Sequence, residues 1–235
     1  MKGVGSDDGG NLLSKLFRQG GFIQMANIFQ LMNYRLSYYV IQKFTGLAPL
    51  GVFSVGTQLS EGSWIVPKSI GTVLYMKVSN ESDEAERTKL TIGLMHLSMI
   101  ATLAVLAVIW TLPESFYQWV FGDGIVGVPK IIRYLSVGIT AMAGSQALSH
   151  YFSGVARNEQ NTIASGIGFI LTLVFAFLLI PDYALTGAAI TASIAYAGLF
   201  LYQLLSFVWI SSASANELFP NIKSLKRIIG LMRST

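Results

Sequence analysis

The sequence predicts an all-α, polytopic membrane protein with six transmembrane helices and a C-terminal interfacial amphipathic helix. Three observations carry that expectation. Hydrophobic residues make up 52% of the 235-residue chain and charged residues only 12%, half the roughly 25% of a soluble domain. Mean hydropathy is +0.55, and so few charges do not keep a monomer of this size in water. The apolar residues also gather into six runs, residues 22–44, 50–73, 90–112, 131–152, 162–180 and 184–209. Each is near the ~20 residues that cross a bilayer as a helix. Finally, Lys and Arg are unevenly shared between the two sets of connections.

Residues 1–14 are rich in Gly and Asp and read as a flexible linker; they lack the basic and apolar regions of a secretory signal. A six-helix membrane domain is expected over residues 15–212. In the first run, Phe29, Met32, Leu36 and Val40 form a narrow apolar strip expected to face lipid. Gln24, Asn27, Gln30, Asn33, Arg35 and Ser37 occupy much of the remaining circumference. The second run carries Ser54, Gln58, Glu61, Lys68, Thr72 and Tyr75 at three-, four- and seven-residue spacing, which places them along one helical face. Such a stripe lines water or packs against another polar helix. Pro67 is expected to kink this helix and free a carbonyl on its polar side.

The third run, with His96, Ser98 and a few Thr as its polar groups, is expected to face lipid, with His96 at the interface. Between the second and third runs, residues 80–89 (NESDEAERTK) form a solvated charge run. Residues 113–129 carry Phe116, Tyr117, Trp119 and Phe121 and suit the outer membrane interface. The fourth run has Ala141, Ser145, Ser149 and Ser153 at four-residue spacing, and the sixth has Gly187, Thr191 and Ala195. Small residues in this pattern let helices approach closely. In residues 213–235, Ile222, Leu225, Ile229 and Met232 recur at helical spacing among Lys223, Lys226, Arg227 and Arg233. This basic amphipathic tail either lies in the inner headgroup layer or begins a further segment.

Charges inside membrane spans are expensive and are functional candidates by default. Arg35, Lys68 and Glu61 are these charges. Arg35 needs an anionic partner, for which Glu61 is the intramembrane candidate, or an anionic substrate. Both a buried packing pair of Glu61 with Arg35 or Lys68 and a water-lined cavity satisfy the pattern. Enzyme templates fail. Cys is absent and His occurs only twice, which excludes disulfides and thiolate sites and leaves no histidine cluster for a metal. A Ser-His-Asp set, a Gly-rich phosphate loop and a paired-acid arrangement are also missing. The expected activity is moving or binding, with no cofactor and no nucleic-acid partner.

Several runs resemble polysaccharide biosynthesis flippases of the multidrug/oligosaccharidyl-lipid/polysaccharide (MOP) exporter superfamily, a MATE-like group. RLSYYVIQKFTGLAPLGVFSVGTQLSEGSWIVPKSIGTVLYMKVS (residues 35–79) is similar to their seventh and eighth helices, and FYQWVFGDG (116–124) to the segment before the tenth. YFSGVARNEQNTIAS (151–165) resembles the tenth-to-eleventh connection, and LLIPDYALTGAAITASIAY (178–196) their LIP-containing run. The chain departs from the family pattern at Ser37, Met76, Thr172 and Ala176.

The resemblance implies that the six helices are the C-terminal half of a flippase, whose partner is an N-terminal six-helix half. The implied substrate is a polyprenyl-diphosphate-linked oligosaccharide, carried across the cytoplasmic membrane. Arg35 and Lys68 would then meet the diphosphate, with Gln30, Asn33 and Gln58 as further substrate-binding candidates. Glu61 would serve ion coupling or charge pairing. A multidrug exporter of the same superfamily and a membrane scaffold subunit are the alternatives; the excess of Arg35 and Lys68 over Glu61 weighs against the multidrug reading.

With the N-terminus inside, Lys2, Lys15, Arg18, Lys77, Arg87, Lys89, Arg157 and the four cations of the tail fall on one side. Only Lys43, Lys130 and Arg133 fall on the other. The positive-inside rule then puts both termini in the cytoplasm. A cysteine introduced at Gly124, in a chain without native Cys, should react with a membrane-impermeant thiol reagent applied from outside. Reaction only from the cytoplasm would invert the topology.

Overall fold

The computed structural model describes residues 7–211, 213 and 218; the basic tail seen in the sequence lies outside the described residues apart from these two positions. Seven helical elements follow one another: α1 (Asp7–Thr45), α2 (Leu47–Gly62), α3 (Ile65–Asn80), α4 (Glu84–Trp110), α5 (Glu114–Phe121), α6 (Val128–Gly154) and α7 (Asn158–Ser211). No strand occurs among the described residues. By length and composition, α4 and α7 are long and apolar enough to cross a membrane.

Each predicted run has a helical counterpart, with changes that have physical causes. The N-terminal linker shortens, because α1 already begins at Asp7. Once a helix is nucleated, each added residue gains a backbone hydrogen bond at little cost. The second run is two helices, α2 and α3, parted at Ser63 and Trp64. Pro67 explains where the break falls: its ring clashes with the carbonyl four residues earlier, that of Ser63. The chain closes the break with short-range bonds. Ser63 N and Trp64 N donate to the carbonyls of Ser60 (3.2 Å) and Glu61 (2.9 Å), and the Ser63 hydroxyl donates to Ser60 O at 2.6 Å.

The charge run at 80–89 is mostly helix ends. Asp83 caps α4 by accepting from Ala85 N at 3.0 Å, and Glu84 and Glu86 follow in the first turn, where acids complement the helix dipole. α5 bears out the aromatic segment: Trp119 is 83% exposed while Tyr117 is buried and donates to Ile109 O at 3.1 Å. The loop between α5 and α6 turns through Gly122 (φ 101°) and Gly127 (φ 90°), backbone values that only Gly adopts without strain. Glu114 anchors it by accepting from Gly127 N.

α7 is a helical hairpin. Its two arms meet at Ala184 (φ 49°, ψ −128°), next to the predicted turn at 181–183. The arms then run back along each other: Tyr202 donates to Gln160 Oε1 at 2.8 Å, and a Cβ at Gly198 would strike Leu171.

The centre of the fold is α6. Its residues Ile131, Ile132, Leu135, Ile139, Ala143, Ala147 and Leu148 are buried, and it packs against α2, α3, α4 and α7. Close approach is built from Gly138 and Gly144, which lie outside the small-residue stripe picked out in the sequence. A Cβ on Gly138 would lie 2.5 Å from the Ser193 Cα, and one on Gly144 2.7 Å from the Phe200 ring. Helix α4, which the sequence suggested faces lipid, is exposed on one side only. One face, including Thr91, Leu94, Met95, Ser98 and Thr102, is buried against α3 and α6, while Ile100, Leu103 and Val108 stay exposed. The apolar strip of α1 also turns inward. Phe29 stacks on Phe169 of α7 at 6.1 Å, and Val40 is in the core; only Met32 of the strip is exposed.

Gly138→Ala should lower the detergent melting temperature, since the added methyl meets backbone and overpacking costs about 1–3 kcal/mol. Gly51→Ala, where a Cβ meets nothing within 4 Å, should be neutral or slightly stabilising. Equal melting of both variants would refute tight α6–α7 contact.

Candidate functional site

A cleft of about 590 Å³ opens between α1, the α2–α3 break and α6, lined by Gln30, Tyr38, Glu61, Trp64, Lys68, Met142 and Gln146. The break positions the charges. Ending α2 at Gly62 leaves Glu61 in its last turn, and starting α3 at Ile65 leaves Lys68 one turn in. Both signs oppose the local helix dipole, which favours cations at C-termini and anions at N-termini. Local helix stability therefore does not account for either charge. Trp64 is the hinge pin: its indole N–H donates to Ile139 O at 3.0 Å and its ring meets Tyr196 edge-on at 6.0 Å.

Glu61 is partly buried, and its Oε1 is covered without a hydrogen-bond partner. Lys68 is exposed. Among the described residues the only ion pair joins Arg157 and Glu159, at 3.7 Å. Neither Arg35 nor Lys68 forms a salt bridge with Glu61, although Lys68 acts on it electrostatically across the cleft. The rest of the stripe is open: Gln58, Thr72 and Tyr75 are exposed and Ser54 is half-buried, with Gln58 donating to Ser54 at 2.9 Å. This chain's own helices leave that face uncovered.

The sequence-predicted site residues divide into three groups. Gln30, Glu61 and Lys68 meet in the cleft. Arg35 and Gln58 are exposed and lie outside its lining. Asn33 goes elsewhere: it is 8% exposed and accepts a hydrogen bond from Thr172 of α7. Its place on the helical circumference beside Gln30 misled, because the α7 hairpin covers that sector of α1. Tyr38, Trp64, Met142 and Gln146 are additional lining residues. Gln146 had a legible signal, an amide in an otherwise small and apolar run; the others had none.

A second, smaller cavity of about 160 Å³ continues along α6 and shares Gln30, Met142 and Gln146 with the first. Behind it the small-residue stripe of α6 proves to be a polar network. Ser145 donates to Gln203 (2.6 Å), and Gln203 donates to Ser149 (2.8 Å) and Asn161 (3.1 Å). Further along, Ser153 donates to Asn158 (2.9 Å), which donates to Gln19 of α1 (2.8 Å).

In comparison with solved structures, the fold matches an outward-facing multidrug resistance MATE family transporter of the MOP superfamily. The TM-score is 0.69 at 14% identity, over 92% of this chain and 50% of that one. The chain is helical and has the fold of half of that transporter. Among curated proteins it is 23% identical to an uncharacterized membrane protein of Methanocaldococcus jannaschii over 218 residues, 90% of this chain and 42% of that protein. It is 25% identical to the capsular polysaccharide biosynthesis protein CapF of Staphylococcus aureus over 166 residues, 69% of this chain and 42% of that protein. No family model matches. The chain spans about half the length of the proteins it matches.

The Asn33–Thr172 bond gives a test of the packing role. Asn33→Ala should cost about 1–3 kcal/mol, because Thr172 is left buried without a partner. The double change with Thr172→Val should recover part of that in a detergent melt. Unchanged stability of Asn33→Ala would free Asn33 for a role in the cleft.

Proposed function

We propose that this chain forms the C-terminal half of a flippase that moves polyprenyl-diphosphate-linked oligosaccharide across the cytoplasmic membrane. The observation that carries the reading is the uncovered polar face with an exposed cation, Lys68, at the mouth of a cleft in a fold of the MOP type. A second half packed over that face would enclose the cleft between the two. Six spans and cytoplasmic termini belong to the same proposal. The α2–α3 pair acts as one broken span, and the two arms of α7 as two.

A diphosphate suits the available groups. Its oxygens accept from an ammonium as a point charge and from a guanidinium bidentately. Arg35, exposed on α1, would face the substrate path from the cleft's rim. Relatives weigh the same way, since one is a capsular polysaccharide biosynthesis protein. The fold neighbour, titled a multidrug resistance transporter, favours a second reading, export of small organic molecules. A cleft that combines one covered acid with an exposed lysine suits an anionic head group better than a cationic drug.

Arg35→Ala and Lys68→Gln should each reduce glycan export at least tenfold while membrane insertion and detergent melting stay near wild type. Arg35→Lys should retain intermediate export. Export unaffected by both substitutions, or drug efflux without any glycan export, would overturn the flippase reading.

A further inference from the structure

The smaller cavity differs in kind from the cleft it adjoins. Its lining includes Gln30, Gln146, Ser149, His150 and Ser165 and contains no Lys, Arg, Asp or Glu. Among the described residues Gln30, Gln146, His150 and Ser165 make no hydrogen bond, and no unprinted contact involves them. The wall behind is fixed: Ser145, Ser149 and Gln203 hold one another, and Gln203 is 1% exposed. His150 is fixed from the other side, lying so close to Gly71 of α3 that any Cβ there would collide with its ring. The chamber thus presents two free amides, a free hydroxyl and a free imidazole on a rigid frame, with Met142 and Leu199 as apolar wall.

We infer that this chamber is a sugar-binding compartment, which takes the carrier-proximal ring of the substrate while the charged cleft holds the diphosphate. The inference rests on the flippase reading. Its chemistry is that of a neutral polyol. Each sugar hydroxyl both donates and accepts, and an amide side chain offers one donor and one acceptor edge to match. Apolar side chains cover the C–H face of a ring. An anion would find no cation here, and a cation no carboxylate. At about 160 Å³ the chamber is smaller than the ~300–1,000 Å³ of drug-sized pockets, which suits a single ring. Gln30 and Gln146 line both compartments, so diphosphate and first sugar can be held at once.

The test compares two probes on the full-length protein in lipid nanodiscs: a polyprenyl diphosphate without sugar, and the same carrier bearing one N-acetylhexosamine. The sugar-bearing carrier should bind about tenfold more tightly, the gain expected from one or two well-made hydrogen bonds. Ser165→Leu, which fills the chamber from α7, should erase that increment and leave binding of the bare carrier unchanged; Ser165→Ala should erase only part of it. An unchanged detergent melt shows that the Leu variant is folded; should it melt early, the partial loss in Ser165→Ala decides alone. Equal affinity for both carriers in the wild type, or a sugar increment that survives both substitutions, would overturn the sugar compartment while leaving the flippase reading intact. Binding of neither carrier would overturn both.

Discussion

A chain of this composition must satisfy its backbone N–H and C=O groups internally, because hydrocarbon offers no partner. That constraint makes the protein helical throughout and decides where irregular backbone is tolerated. The described interruptions within the helical runs are few, and the α2–α3 break is repaired. Ser60 and Glu61 carbonyls take the N–H groups freed at the α2–α3 break, and Trp64 ties the break to α6. Ala184 bends α7 where its arms reverse, away from the charged cleft. The break at Ser63 and Trp64 is the interruption that borders a cavity, and the cavity is where the charges sit.

Side chains follow the same rule on a finer scale. Hydroxyls on α1, α2, α3 and α6 mostly bond back to carbonyls one turn earlier, as Thr57 does to Phe53 and Thr140 to Ser136. Amides deep in the bundle bond across helices, as Gln203 and Asn161 do. Against that background the groups left without partners stand out. Gln30, Gln146, His150 and Ser165 are such groups, and they converge on one chamber.

The close packing of α6 explains how a half-bundle stays rigid around an open face. Gly138 against Ser193 and Gly144 against Phe200 bring the backbones together. Dispersion between them then does the work that hydrophobicity does in water. The consequence is a solid wall of α6 and α7 behind the cleft. The opposite wall is the α2–α3 pair with its exposed polar stripe.

Composition and periodicity determined that this is an all-α membrane protein, where its apolar runs lie, that Pro67 interrupts the second of them, and which charges lie inside them. Those properties are local, since hydropathy and a 3.6-residue period are carried by neighbouring residues. Periodicity also grouped Asn33 with Gln30 and put Phe29 and Leu36 toward lipid. It reports which side chains share a face and is silent about what covers that face. Only the tertiary structure decided this. The α7 hairpin, folded back at Ala184, covers the sector of α1 holding Phe29 and Asn33 and leaves Gln30 free. Likewise α6 supplies Gln146 and His150 to cavities that α1 and α3 complete, a juxtaposition of residues far apart in the chain that no local pattern encodes.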